Sequence, residues 1–329
     1  MMKKLFVLLL CIITTEAFSV VNYKNSEKYE ITPTTLLDSA EEMFEATKIV
    51  CNGISDEISK VSKVSKANTG VTAVGTVAAG GALAAGIAKS KEEKEIDDLV
   101  NQICKAGGCT AEGVRAMSLE TFYGNVIVPM ARISELQKKI DRSKRLGNWR
   151  TGLLAGTIGT NLASAIISGV NRDQSELIQH IEACNDMVKS MQDVSGQLKA
   201  AGFSPMEHPI VKKIDNIKTW CTMINTSDVE KIEKRMKGVM GTSIAGTVVG
   251  VVGTATSASA NSDKYMNKDN RMALSDAERQ RLSGLNKTAN IMAGVNVGTG
   301  LVETGLNISL IKLTKDLMAN AQRCEEVLQ

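Results

Sequence analysis

Four stretches of this chain carry almost no charge and consist mainly of Gly, Ala, Ser, Thr and Val. They cover Ala67–Ala88, Thr151–Asn171, Gly238–Ser262 and Thr288–Ile311, and Glu303 is their one charged residue. Each stretch is long enough to span a bilayer, yet each is short of the Leu, Ile and Phe that lipid favours. The stretches therefore either enter lipid or pack closely against one another in water, and this choice decides the nature of the molecule.

The start of the chain has the pattern of a secretory signal peptide over residues 1–17. A short basic start precedes the apolar run Leu5–Ile13, and small residues then suit cleavage after Ala17. We therefore expect an exported protein, periplasmic or extracellular, in which residues 18–34 form an irregular arm.

Composition excludes several classes of function. The net charge is +3, with basic residues mixed among acidic ones, which argues against a nucleic-acid footprint. Aromatic residues make up 3% of the chain, too few for stacking platforms. His180 and His208 are the only histidines and no paired-cysteine ligand spacing occurs, so we predict no metal and no cofactor. The glycine-rich stretches lack the Lys-Ser/Thr of a phosphate loop, and we predict that the protein is not an enzyme.

Four prolines in 329 residues and the absence of alternating β-branched runs predict an all-α fold of long helices. Turn and capping signals divide it into two long antiparallel hairpins. The first spans 35–201 with a turn at about 104–118, and the second spans 209–329 with a turn at about 270–275. Residues 202–208 connect them.

Helix signals inside the hairpins are few. We expect continuous arms, with kinks at Asn52-Gly53 and Pro129, and a third helix that reaches Asp269. Ser275 and Glu278 form a capping box, which predicts the start of the last helix.

The two halves of the chain resemble one another. Gly75-Thr76-Val77 matches Gly246-Thr247-Val248, and Cys51 matches Cys221 at nearly the same offset. We interpret the chain as a duplicated hairpin that forms an elongated, coiled-coil-like four-helix bundle.

Cysteines lie on the apolar seams of these predicted helices. Because facing residues of an antiparallel pair have a constant sum of positions, one register joins Cys221 to Cys324 and another joins Cys51 to Cys184. In an oxidising compartment we predict both pairs as disulfides, with buried free thiols as the alternative. A local disulfide, Cys104–Cys109, is predicted across the first turn.

The same registers predict a close-packed waist of small residues. They place Gly75 opposite Thr160 and Gly246 opposite Thr299, and stripes of small residues at every fourth position add Gly156 and Gly250. Small side chains let two helix backbones approach closely, in water or in lipid.

Glu303 is predicted to lie opposite Thr242 as a buried carboxylate. A hydrogen-bonded core or edge residue is the plainer interpretation, and a gating or proton-carrying group is the alternative. The side chains of four asparagines in the uncharged stretches would also be expensive in lipid: Asn161, Asn290, Asn296 and Asn307.

These patterns lead to two hypotheses of function. The first is an exported, non-enzymatic scaffold, a disulfide-linked helical rod that binds protein partners or itself through its helical faces. The second is a membrane protein, either a four-span bundle with its cysteine-linked ends outside or a pore-former that inserts its Gly/Ala-rich segments.

Overall fold

A computed structural model describes residues 33–107, 130–206 and 208–329. Within these residues 91% of the chain is helical and no strand occurs, which confirms the all-α class. The predicted signal peptide, most of the N-terminal arm and most of the first turn lie outside the described residues.

Nine helices make up the described part of the chain. The order is α1 Pro33–Cys51, α2 Ile54–Gly107, α3 Met130–Val170, α4 Ser175–Ala200, α5 Pro209–Cys221, α6 Thr226–Ala260, α7 Asp263–Met266, α8 Lys268–Met272 and α9 Asp276–Leu328.

Three of the predicted continuous arms are interrupted. Gly53 adopts a positive φ of 88°, so the expected kink is a full break between α1 and α2. Residues 171–174 separate α3 from α4, where Asp173 accepts a hydrogen bond from the Ser175 backbone at 3.1 Å. Asn225 caps α6 in the same manner through the Ser227 backbone N–H. Such side-chain bonds to the backbone compete with helix continuation.

The second turn differs from its predicted bounds. The helix expected to reach Asp269 ends at Ala260, and the two short helices α7 and α8 fill the turn. The capping box at the start of α9 is confirmed, with Ser275 and Glu278 each accepting from the other's backbone N–H.

The long helices pack side by side. Helix α2 contacts α3 and α9, and α6 contacts the same two helices. At the other end of the molecule α1 contacts α4, and α5 contacts α4 and α9. A large apolar core fills that second end, and it includes Phe44, Ile181, Ile217 and Leu317.

Candidate functional site

Four buried cysteines lie together within the apolar end of the molecule. The sulfur atoms of Cys51 and Cys184 are 2.01 Å apart, and those of Cys221 and Cys324 are 1.95 Å apart. These are the two long-range pairs that the sequence registers predict. Cys51 and Cys221 are the last residues of α1 and α5, so each lies just before a helix break. The pair Cys104–Cys109 lies outside the described side chains.

Three of the four sulfur atoms also lie close to one another. Sγ of Cys51, Cys184 and Cys324 lie within 4.8 Å of one another, which is close enough for a metal ion. Each of these sulfurs is in a disulfide, however, and a metal needs the free thiolate. The cysteines are therefore structural disulfides that link the helices covalently.

The waist brings most of the predicted packing residues together. A Cβ added to Gly75 would lie 2.5 Å from Thr160 Oγ1, and one added to Gly246 would lie 3.4 Å from Thr299 Oγ1. A Cβ on Gly250 would lie 2.9 Å from Ile158, a side chain of the neighbouring helix α3. At Gly246 the Cβ would also lie 2.5 Å from Asn161 Nδ2, so at all three positions a larger residue would force neighbouring side chains to shift.

Gly156 is an exception, and its predicted role in packing is wrong. It is exposed, and a Cβ there would meet nothing within 4 Å. A four-residue spacing drifts about 40° around a helix at each step, whereas the 3-4 spacing of a supercoiled seam stays on one face. On α3 the buried face follows the 3-4 spacing, through Leu154, Thr157, Asn161, Ser164 and Ser168.

Glu303 lies inside the waist with 1% of its surface exposed. Its Oε1 accepts hydrogen bonds from the hydroxyls of Ser164 on α3 and Ser243 on α6. The predicted neighbour Thr242 is one position away from the residue that contacts it. Glu303 is therefore a hydrogen-bonded interior group shared by three helices.

Amides and hydroxyls continue this polar interior along the waist. Asn68 donates to Ser168 at 3.0 Å and to Asn307 at 3.3 Å, and Asn307 donates in turn to Thr72 at 3.2 Å. The described buried polar residues of the four uncharged segments are Asn68, Thr72, Thr157, Asn161, Ser164, Ser168, Ser243, Ser257, Asn296, Glu303 and Asn307.

The outer surface of the same segments is apolar. Fifteen of the nineteen large hydrophobic side chains that are exposed in the described chain lie there. We call them the apolar belt: Val74, Val77, Ile87, Leu162, Ile166, Val170, Ile244, Val248, Val251, Val252, Ile291, Val295, Leu301, Val302 and Ile308. On α9 the belt is about 25 Å tall at 1.5 Å per residue. All four long helices, α2, α3, α6 and α9, contribute to it.

By length and composition alone, three helical stretches of the described chain could cross a membrane. They are Leu36–Ile103, Ser134–Ala200 and Pro209–Ala260. The segment in α9, the weakest span by sequence, is not among them.

A layer of buried charge closes the waist at the end near the second turn, just outside the uncharged segments. Arg271, which is 2% exposed, places Nη2 2.6 Å from Glu93 and 2.8 Å from Asp97. Arg150 donates to Asn286 and Ser257 at 2.9 and 2.8 Å. We call this the charged layer.

Lys89 is fully buried in the charged layer, with Nζ 3.6 Å from Glu93. Burial, with smaller contributions from the charges of Arg150 and Arg271, lowers the pKa of Lys89 to about 8. Sequence reasoning missed this layer and treated Glu303 as the single buried carboxylate. Lys89, Arg150 and Arg271 directly flank uncharged segments or a turn, and nothing local marks them as buried.

A polar groove of about 390 Å³ opens beside the charged layer, between α2 and α9. Its lining consists of Ser90, Glu93, Lys94, Asp97, Arg279, Leu282, Ser283, Asn286, Lys287, Asn290 and Ile291.

No protein-family model, curated protein or solved structure is similar to this chain.

Proposed function

We propose that this chain is an exported, non-enzymatic protein that crosses a membrane as a four-helix bundle. The observation that carries the proposal is the inverted distribution of polarity in the waist. There eleven polar side chains, Glu303 among them, are buried, whereas fifteen Val, Ile and Leu side chains are exposed. Leu154, Val239 and Leu310 are large apolar side chains of the same segments that are buried. A bundle folded in water buries its apolar side chains, and an exposed apolar surface of this extent marks a membrane or partner contact.

The shape of the apolar belt favours lipid over a protein partner. A partner covers one face, whereas the belt occupies all four long helices. The uncharged segments hold 21 to 25 residues each, or about 31–38 Å of helix, against a hydrocarbon core of about 30 Å. Trp149 is 68% exposed at the edge of the belt, where tryptophan is enriched at membrane interfaces.

The polar residues inside the segments are compatible with this proposal. From the sequence alone, the free-energy cost of placing these side chains in lipid is the main argument against a membrane-spanning bundle. Asn68, Asn307 and Glu303 are instead buried between helices and hydrogen-bonded to one another or to hydroxyls. Polar side chains in that position join membrane helices together.

The two predicted antiparallel registers are compatible with the same topology. Contacts such as Gly75 with Thr160 and Gly246 with Thr299 follow the two predicted antiparallel registers. With the predicted signal peptide removed, the N-terminus and both disulfides would lie on the outer side. The charged layer and the second turn would then lie on the inner side.

A soluble helical rod is the second candidate. The apolar core around the disulfides has the composition of a protein folded in water, and α9 is too polar to qualify as a span on its own. Such a rod would bind partners, or further copies of itself, through the belt.

Fractionation with an alkaline carbonate wash separates the two candidates. The full chain is expressed with its own leader, and we expect it to stay in the membrane pellet. Val77→Asp places a charge in the belt and should deplete the pellet, because a central Asp costs about 2.5–3.5 kcal/mol. Ile49→Asp is the matched control: Ile49 and Val77 are both 76% exposed, but Ile49 lies outside the belt.

Release of the wild-type protein by carbonate, as a species that is monodisperse without detergent, would overturn the membrane proposal in favour of the rod. Equal behaviour of the Val77 and Ile49 variants would also count against a lipid-facing belt.

A further inference from the structure

The groove between α2 and α9 straddles the end of the apolar belt. Asn290 and Ile291 belong to the uncharged segment of α9, whereas Lys94, Asp97 and Arg279 lie beyond the belt. In the membrane topology proposed above, on which this inference rests, the groove therefore lies at the level of the lipid headgroups of the inner leaflet.

Both carboxylates of the groove are already neutralised. Arg271 contacts Glu93 and Asp97, and Glu93 also accepts a hydrogen bond from Ser143 at 2.5 Å. Lys89 Nζ, 3.6 Å from Glu93, adds a further positive charge. The carboxylates consequently leave little negative potential to repel an anion.

Three cations of the groove have no such partner. Within the part of the chain that the structure describes, Lys94, Arg279 and Lys287 form no ion pair. Arg279 donates only to neutral acceptors, the Leu274 carbonyl at 3.3 Å and Asn101 Oδ1 at 3.1 Å. Their charge is therefore available to a ligand.

Arg271 lies behind the two groove carboxylates, and one of its nitrogens has no acceptor among the described residues. Arg271 uses Nη2 for the two groove carboxylates, while its Nη1 is buried and has no hydrogen-bond partner. Because Nη1 is buried, Arg271 acts on a ligand in the groove through its charge, which neutralises Glu93 and Asp97.

The remaining lining supplies hydroxyls from Ser90 and Ser283 and an apolar edge at Ile291. The Asn290 amide already donates to Ser90 and to the Gly86 carbonyl. Ile291 is exposed and continues into the belt. We infer that this groove binds the phosphate group of an anionic phospholipid, with the acyl chain lying along the belt at Ile291. Arginine and lysine bind phosphate strongly, and basic pockets between membrane helices on the inner side accept anionic headgroups.

Lipid retention by the purified full chain tests this inference. The protein in detergent is incubated with equal amounts of phosphatidylglycerol and phosphatidylcholine, and bound lipid is counted by native mass spectrometry. We expect at least about a tenfold preference for phosphatidylglycerol, equivalent to about 1.4 kcal/mol. The double variant Arg279→Gln/Lys287→Gln should lose that preference.

Two exposed lysines at the opposite end of the belt on the same helix provide the control. Lys312→Gln/Lys315→Gln removes two charges and should retain the preference. Both double variants should melt at the wild-type temperature. Equal retention of the two lipids by a wild-type protein that resists carbonate would overturn the inference and leave the membrane proposal standing.

Inorganic phosphate distinguishes a free anion from a headgroup. Phosphate binding is measured by calorimetry. If inorganic phosphate binds as tightly as the lipid, the claim that the ligand is a lipid headgroup is refuted. If carbonate releases the protein, the membrane proposal fails. In that case the soluble protein is tested for phosphate binding. Binding that is lost in Arg279→Gln/Lys287→Gln would support a phosphate site in the groove, and the absence of binding would refute the site.

Discussion

The carboxylate of Glu303 accepts a hydrogen bond from the Ser243 hydroxyl at 2.6 Å, in the interior of the waist. Ser164 donates to the same oxygen from α3, so one side chain of α9 holds two other helices. The Glu303 carboxylate therefore links three of the long helices through hydrogen bonds.

Replacing Glu303 should destabilise the waist. Glu303→Ala removes the acceptor that the Ser164 and Ser243 hydroxyls share, although Ser243 keeps the Val239 carbonyl at 2.8 Å. Because buried hydrogen bonds between three helices are lost, we expect a loss of about 1–3 kcal/mol in the free energy of unfolding. Chemical denaturation of the purified protein measures the effect, with the exposed Glu326→Ala on the same helix as control. Equal stability of the two variants would mean that the Glu303 contacts contribute nothing.

Glycines at the waist should differ according to the face they occupy. Gly246→Leu forces a side chain toward Asn161, whose Nδ2 would be 2.5 Å from the new Cβ. We expect about 1–3 kcal/mol of destabilisation from overpacking. Gly156→Leu adds the same atoms on an exposed face and should be neutral, or should stabilise by up to about 1 kcal/mol through helix propensity. Thermal unfolding of both variants is the measurement, and a reversed order would contradict the supercoiled seam.

Removal of one long-range disulfide should lower stability without changing the fold. Cys51→Ala/Cys184→Ala frees a loop whose ends are separated by 133 residues, and a cost of about 2–5 kcal/mol is expected. Circular dichroism checks helix content, and denaturant titration gives the free energy. A non-reducing peptide map should first recover Cys51 with Cys184 and Cys221 with Cys324, whereas a Cys51–Cys221 peptide would contradict the register.

The capping box of α9 should make stability depend on pH in acid. Lys264, at 2.8 Å, and then the Ser275 backbone N–H lower the pKa of Glu278 to about 2 from its usual 4.5. Since the folded state has the lower pKa, the stabilisation is complete above about pH 4.5. It is lost as the pH falls through about 2.

Glu278→Gln removes this titration. The difference in melting temperature between wild type and variant should therefore be largest near pH 7 and shrink towards pH 2. A difference that stays constant over that range would exclude the carboxylate as its source.

Local pattern was sufficient to predict much of this fold. Helices, the 3-4 seam and the capping box at Ser275 depend on residues within a few positions of one another. The pairs Cys51–Cys184 and Cys221–Cys324 follow from the same seam, because antiparallel helices keep a constant register over their length. The break at residues 171–174 was missed because Asn and Asp stop a helix through side-chain bonds that composition does not reveal.

The sequence by itself determined that the molecule is all-α, is built of long helices and contains four segments almost without charge. Only the tertiary structure decided which face of each segment points inward. It placed Asn68, Asn307 and Glu303 inside and Val77 and its neighbours outside, which changes the balance between rod and membrane protein. The charged layer is likewise tertiary, because Lys89, Arg150 and Arg271 come together from three separate parts of the chain. Burial and charge pairing depend on neighbours in space, whereas helix periodicity depends on neighbours in sequence.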